Sequence, residues 1–466
     1  MSDNHSSNKD SYAVSSVMRF ILPSLLGIFL FMVPIRFNGN ITIPIAILSN
    51  TLQELLSNNI LYLLSITITL SACGSLFTKV FKPSFILNNK FLATLFNPSW
   101  IWLTLRMLAM IFVWVIILAE RGSLTSPSLE FMIEMILSED TGKLVLTDLL
   151  PVLFSIFLFA GFFLPLLLDF GLLEFIGCLL VKVMRPISGL PGRAAVDCIA
   201  SWLGDGTIGV LLTSKQYEEG FYTEREAAVI GTTFSLVSIT FSLVVINTVG
   251  LGHLFVPFYL TVTVASLIAA IIMPKLPPLS KKKNILYDGS LPPSSDELTP
   301  NKDSLKAGFK LAIQKAHSQS FIKCVVIDGS KNVLDMWLGV IPVVMAIGTL
   351  ALILATYTPL FEILGLPFTP ILSLLGVPEA VAASQTLIAG FADMLLPSVL
   401  ATSIESDMTR FIVASVSVTQ LIYLSEVGAL LLGSKIPVKL WELFVIFIER
   451  TLITLPIVSL IAHLIF

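Results

Sequence analysis

The segment ASWLGDGTIGVLLTSKQYEEG, residues 200–220, begins as an apolar helix, sets Asp205 between two glycines, turns apolar again and ends in charge. A carboxylate near the centre of a bilayer costs about 2.5–3.5 kcal/mol, so it has to face protein, a cavity or a ligand. Glycine on either side supplies the backbone freedom for a tight reversal. The segment therefore reads as a re-entrant helical hairpin with Asp205 at its tip.

The rest of the chain supplies the membrane. Of 466 residues 55% are hydrophobic and only 13% charged, about half the charge of a soluble domain of this size. Mean hydropathy is +0.90. A net charge of −3 gives no reason to expect a nucleic-acid partner. Four scattered cysteines, with no CxxC, suggest neither a disulfide framework nor a thiolate metal site. Runs of about 20 apolar residues mark nine spans, at about 20–37, 59–76, 100–119, 148–168, 226–247, 254–273, 333–356, 409–432 and 440–462.

Lysine and arginine orient them. Residues 77–99 carry Lys79, Lys82 and Lys90 without an acid, and 275–323 holds nine lysines against four acids. Residues 120–148, by contrast, carry six acids and two bases. With the N-terminus inside, the sides alternate only if 194–220 and 380–403 enter and leave on one face. The expected division is a tail over 1–17, scaffold spans over 18–147, a first repeat over 148–274 with hairpin 194–220, a flexible cytoplasmic linker over 275–323 and a second repeat over 324–466 with hairpin 380–403.

The two halves echo each other. GLLEFIG (171–177) aligns with PLFEILG (359–365), and an Asp follows each aligned Glu by 31 residues: Asp205 after Glu174, Asp393 after Glu362. The charge assignment has the first hairpin entering from the cytoplasm and the second from outside, so the repeats are inverted. That is a transporter architecture, with broken helices meeting around a central site. The fold class expected is an all-α polytopic membrane protein with about nine transmembrane helices and two oppositely oriented re-entrant hairpins. Pro397 fits a break in the second hairpin.

With residues 191–247 in view, GRAAVDCIASWLGDGTIGVLLTSKQYEEGFYTEREAAVIGTTFS resembles the Gate (nucleoside-recognition) domain of the YjiH family of bacterial inner-membrane proteins. FILPSLLGIFLFMVPI, near the start, resembles that family's first span. YTEREAAVIGTTF is more distantly similar to the signature that follows the first hairpin of concentrative nucleoside transporters, through Thr223, Glu226, Ile230 and Thr232. Those transporters carry Gln-Thr-Glu at the hairpin tip where this chain has Gly-Asp-Gly-Thr. The resemblance implies a multi-pass protein of the bacterial inner (plasma) membrane with a cytoplasmic N-terminus. It also implies two hairpins and two unwound helices around a nucleoside-sized site.

Candidate residues follow from where polar groups interrupt apolar runs. For the solute these are Asp205, Thr207, Thr232, Thr233, Asp393 and Gln420; for a coupling ion, Glu426, Ser425 and Asp205. A carboxylate offers two oxygens to hydroxyls, amines or a hard cation, whereas its bland role is to cap a broken helix. The bland role of the threonines is back-bonding to their own helix. Asp335 reads as a helix-start acid. No GxxxxGK[ST], HExxH or GxSxG occurs, so the chain is not expected to be an ATP-driven pump, a protease or any other enzyme. The expected activity is ion-coupled secondary transport of a small polar solute, a nucleoside or nucleobase by resemblance. Na+ or H+ would be the coupling ion, with no cofactor or bound metal. The alternative is a non-transporting module that senses a ligand or assembles with a partner; homo-oligomerisation is left open.

Overall fold

The computed structural model describes residues 14–292 and 304–466, apart from residues 34, 38–39, 58, 122–129, 204–205, 235–236 and 238. Helices dominate; the one sheet among the described residues is a two-stranded ribbon, β1 (Ile35–Phe37) with β2 (Asn40–Thr42). The labelled N-terminal helices are α1 (Val14–Met32), α2 (Pro44–Leu55), α3 (Ile60–Phe81), α4 (Lys90–Phe96) and α5 (Trp100–Glu120). The first repeat holds α6 (Gly142–Leu168), α7 (Leu172–Ser188), the hairpin pair α8 (Ala194–Leu203) and α9 (Gly206–Glu218), then α10 (Glu224–Thr233), α11 (Ile239–Thr248) and α12 (Phe255–Ile272). After α13 (Ser304–Ser318) the same order returns: α14 (Lys323–Tyr357), α15 (Leu360–Gly365), the pair α16 (Ala380–Leu387) and α17 (Leu396–Leu400), then α18 (Asp407–Gln420), α19 (Val427–Gly433) and α20 (Leu440–Ile465).

Six helices among the described residues are long and apolar enough to cross a bilayer: α3, α5, α6, the helical stretch Gly252–Lys281 around α12, α14 and α20. The apolar part of α1, Ser16–Met32, is shorter. Two expected spans are not single helices, which corrects the reading from hydropathy, although the family resemblance implied two unwound helices. Residues 226–247 stop at Thr233 and restart at Ile239, and 409–432 stop at Gln420 and restart at Val427. At the second break Leu421 takes φ +60°, a left-handed conformation that a helix interior does not allow. Hydropathy does not see such a break, because Leu421 and Ile422 are as apolar as the residues around them.

The first spans of the two repeats share a second irregularity. A wide π turn, Val145–Leu149 in α6 and Met336–Val340 in α14, is followed by a proline, Pro151 or Pro342. Proline lacks an N–H and collides with the carbonyl four residues back, and the wider turn absorbs both. In α14 that carbonyl belongs to Leu338, and it accepts the Ser71 hydroxyl at 2.5 Å. Trp337, in the same turn, stacks on Phe154 and donates to its carbonyl at 3.0 Å, which ties α14 to α6.

Contacts between the halves are reciprocal. The outgoing arm of the first hairpin, α9, packs on α19, and the outgoing arm of the second, α17, packs on α11, while α12 packs on α20. Each hairpin thus touches the distal half of the broken helix in the other half of the chain. The arms α8 and α9 span only roughly 15 and 20 Å at 1.5 Å per residue, short of a hydrocarbon core of about 30 Å.

Much of the expected flexible linker is built. Lys282 bonds Glu442 at 2.7 Å, and the carbonyls of Ile285 and Lys283 accept from Glu224 and Arg225 N–H at 2.9 and 3.2 Å. Helix α13 lays an apolar stripe (Phe309, Ala312, Ala316) on α7 and α1, with the Phe20 ring 5.9 Å from both Phe175 and Phe309. Its lysines alternate with that stripe, and composition alone hid the amphipathic period.

Candidate functional site

The second hairpin turns at residues 392–395, and its turn is stitched to the break between α18 and α19. Leu424 N–H donates to Phe391 O at 2.8 Å and Ser425 N–H to Ala392 O at 2.9 Å, so main-chain donors freed by the break find acceptors in the hairpin. Asp393 uses both oxygens. Oδ1 accepts from Leu395 N–H at 2.8 Å, the capping role, and Oδ2 accepts the Ser425 hydroxyl at 2.8 Å. Glu426 is the next residue, half-buried at the start of α19. Pro397 sits in the first turn of α17, where proline is tolerated, and the turn itself lies just before it.

One layer behind, Gln420 donates through Nε2 to Leu387 O at 3.0 Å and to the Thr451 hydroxyl at 2.9 Å. Its Oε1 lies against Gly390, where an added Cβ would stand 2.2 Å from it. Glycine here is a space requirement.

The residue that sequence reading missed is Arg450 of α20. It is fully buried, and among the described residues no carboxylate lies within ion-pair distance of it. Nε donates to Thr419 O at 2.9 Å and an Nη donor to Thr233 O at 3.0 Å. These carbonyls sit at the C-terminal ends of α18 and α10, the two proximal half-helices. Each has lost its intrahelical partner and carries the negative end of a helix dipole. One guanidinium thus caps both breaks. An arginine within an apolar span was a signal available in the sequence.

Thr232 and Thr233 spend their hydroxyls on the carbonyls of Ala228 and Val229 in their own helix. Among the described residues, only the Thr233 carbonyl of this pair bonds another element.

Asp205 and Gly204 lie outside the described residues. Beside them, Thr207 is buried in the first turn of α9, and a Cβ on Gly206 would come 3.7 Å from Val427, so the start of α9 meets the start of α19. The arms of the first hairpin close on one another at Gly209, where a Cβ would be 2.5 Å from that of Ser201. Asp197, also missed, is buried there and accepts from Thr213, Gln216 and Tyr222 at 3.0, 2.5 and 3.0 Å.

The motif YTERE builds a cap. Glu226 accepts from Thr223 N–H and Thr223 Oγ1 accepts from Glu226 N–H, a complete capping box for α10. At the base of the hairpin Arg193 pairs with Glu174 at 3.6 Å and lies 4.0 Å from the Phe221 ring, with Lys315 of α13 5.6 Å from the same ring. Asp169, at the end of α6, is held above the usual carboxylate range by burial, with Lys315 opposing and Asp328 and Glu174 adding to the rise. Arg410 bonds Asp407 and the Val249 carbonyl. Asp335 is not at a helix start: α14 begins 12 residues earlier, at Lys323. Among the described residues no group of three or more His, Cys, Asp or Glu is placed to hold a metal ion.

Comparison with known proteins follows the same outline. Residues 150–252, from α6 through the first hairpin and first broken helix, match the family model Gate, described as nucleoside recognition. The chain is 48% identical over 458 residues to an uncharacterized protein of Alkalihalophilus pseudofirmus, covering 98% of this chain and 96% of that relative. No solved structure matches.

Proposed function

Since the chain belongs to the YjiH-like family of Gate-domain membrane proteins, we propose that it is an ion-coupled secondary transporter of a small polar solute, with nucleosides or nucleobases the first class to try. The observation that carries this reading is the convergence at the second helix break. The turn of one hairpin is hydrogen-bonded to Ser425, and the first described residue after the tip of the other lies beside Val427. Broken helices whose freed groups meet near one point are what a transporter offers its solute and ion.

In this reading Arg450 is a fixed cation between the two half-helix ends. The exchangeable charge then falls to Asp393 and Glu426, with the Ser425 hydroxyl as a neutral ligand, and to Asp205 at the other tip. Thr207 and Gln420 add neutral donors and acceptors for the solute. Release of the Ser425 hydroxyl from Asp393 would free one carboxylate oxygen for a cation or a solute donor. Rocking of the hairpins against α1–α5 would then alternate access, with the N-terminus on the cytoplasmic side of the bacterial plasma membrane.

The test is uptake into proteoliposomes of a nucleoside and nucleobase panel, under an imposed Na+ gradient or an imposed pH gradient, with Asp393→Asn alongside. Gradient-driven uptake of a panel member that falls in Asp393→Asn supports the reading. Folded protein that moves no panel member, or uptake undiminished in the variant, refutes it. A stoichiometric co-purifying partner without flux favours the sensing or partner-bound module instead.

A further inference from the structure

Away from the hairpin tips, a cavity of about 200 Å³ lies where α5, the outgoing arm α9, α14 and the end of α19 meet. It is larger than the cavity of about 150 Å³ that holds a benzene, and its lining is charged. Lys215 and Glu218 on its wall pair with each other at 3.3 Å. Arg106, Asp335 and Lys435 face the same space, and among the described residues none of the three is within ion-pair distance of an opposite charge.

Arg106 is the most constrained of them. It is only 5% exposed, and one Nη donates to the Ser75 hydroxyl at 2.7 Å and the Leu95 carbonyl at 2.8 Å. Those bonds fix the guanidinium plane without neutralising it, and Nε has no partner. A buried charge held in place and opposed only by Asp335, beyond ion-pair distance, is expensive unless something else enters the site.

We propose that this cavity binds a small bipolar solute, with a carboxylate or phosphate held by Arg106 and Lys435 and an ammonium or hydroxyl donor held by Asp335. The lining selects for both ends. A simple anion would meet the two cations but also face the Asp335 carboxylate, and a simple cation would meet Asp335 against two like charges. Only a molecule with an acceptor at one end and a donor at the other satisfies all three. Asn332 and Ser214 on the wall supply neutral hydrogen bonds. Lys215 lies roughly 14 Å along α9 from Gly206, taking nine residues at 1.5 Å each, so this is a different place from the hairpin tips. The assignment does not depend on transport.

The experiment is thermal unfolding of the full-length protein in detergent with glycine as the bipolar probe. Acetate and inorganic phosphate serve as anions and methylammonium as a cation, at constant ionic strength. Binding to the folded state raises apparent stability by mass action. Glycine is expected to raise the midpoint more than acetate or methylammonium. Lys435→Gln and Asp335→Asn each weaken its apparent affinity by roughly tenfold or more, because each removes one partner of a charged contact. Lys435 is part-exposed and, among the described residues, makes no ion pair, so its variant is expected to fold even if Asp335→Asn does not. Asp393→Asn leaves the glycine effect unchanged. The proposal is overturned if no probe raises the midpoint, if one singly charged probe does as well as glycine, or if the effect survives Lys435→Gln. An effect lost in Asp393→Asn and kept in Lys435→Gln would also overturn it, by assigning the ligand to the hairpin site.

Discussion

Replacement of Arg450 by methionine keeps much of the side-chain length and removes every donor. Thr233 O and Thr419 O would then be buried acceptors whose helices end too soon to satisfy them, and neither carbonyl can be deleted along with its partner. An unsatisfied buried acceptor costs about 1–3 kcal/mol, so two cost about 2–6 kcal/mol. Against this, methionine has no guanidinium to keep out of water, and one Nη of Arg450 is already buried without a partner. Relief of that orphan returns about 1–3 kcal/mol. The balance is a loss of about 1–3 kcal/mol, read as a lower unfolding midpoint in detergent for Arg450→Met. Arg450→Lys should recover only part of it, because an ammonium is compact and lacks the planar fork that reaches two carbonyls at once. Buried ion pairs replaced by apolar residues of matched size are often neutral or stabilising. If Arg450→Met is as stable as the parent, the guanidinium is not what holds the two breaks. If Arg450→Lys is fully stable, charge alone suffices and the geometric argument falls.

Gly390→Ala should destabilise by about 1–3 kcal/mol through overpacking, and Gln420→Ala in the same chain should relieve part of it; strict additivity of the two would count against the 2.2 Å approach. Thr223→Val should cost about 1 kcal/mol by loss of a helix cap, with faster amide exchange confined to the first turn of α10; exchange unchanged there would contradict the capping box. Asp169 binds its proton more tightly folded than unfolded, so the folded state carries the extra proton from about pH 3.9, the usual Asp value, up to its raised value. Stability contributed by that proton is therefore lost as pH rises through this window. Asp169→Asn should show a shallower decline in unfolding midpoint over the same range, and parallel profiles would dismiss the assigned environment.

What the sequence made legible was the part written in composition and spacing. The hydrophobic runs marked α3, α5, α6, α12, α14 and α20, and the equal Glu-to-Asp spacing found the element order of both repeats. The breaks were not legible from hydropathy. Phe234 follows α10 and Leu421 follows α18, and neither residue type announces a stop. What stops the second helix is a main-chain match of residues 424 and 425 with residues 391 and 392, 33 positions away, and no window along the chain contains both partners. Arg450 and Asp197 were overlooked for a different reason. They lie away from the hairpin tips and from the spans that follow them, and satisfy their neighbours from inside well-formed helices.

The aligned aspartates also show how far a repeat can be trusted. Asp205 and Asp393 occupy matching positions in the sequence, yet the hairpins handle their carboxylates differently. The first keeps a carboxylate, Asp197, on its incoming arm, with donors from its outgoing arm and from Tyr222 just beyond, and closes on itself at Gly209. In the second, the position aligned with Asp197 is Gln385, and the carboxylate at the turn is tied outward to Ser425. Loss of Asp197 would therefore loosen a hairpin from within, whereas loss of Asp393 would detach one from a neighbouring helix. The two halves share the element order and the Glu-to-Asp spacing. That likeness does not carry over to which carboxylate holds the structure together, and that has to be read residue by residue from the hydrogen bonds.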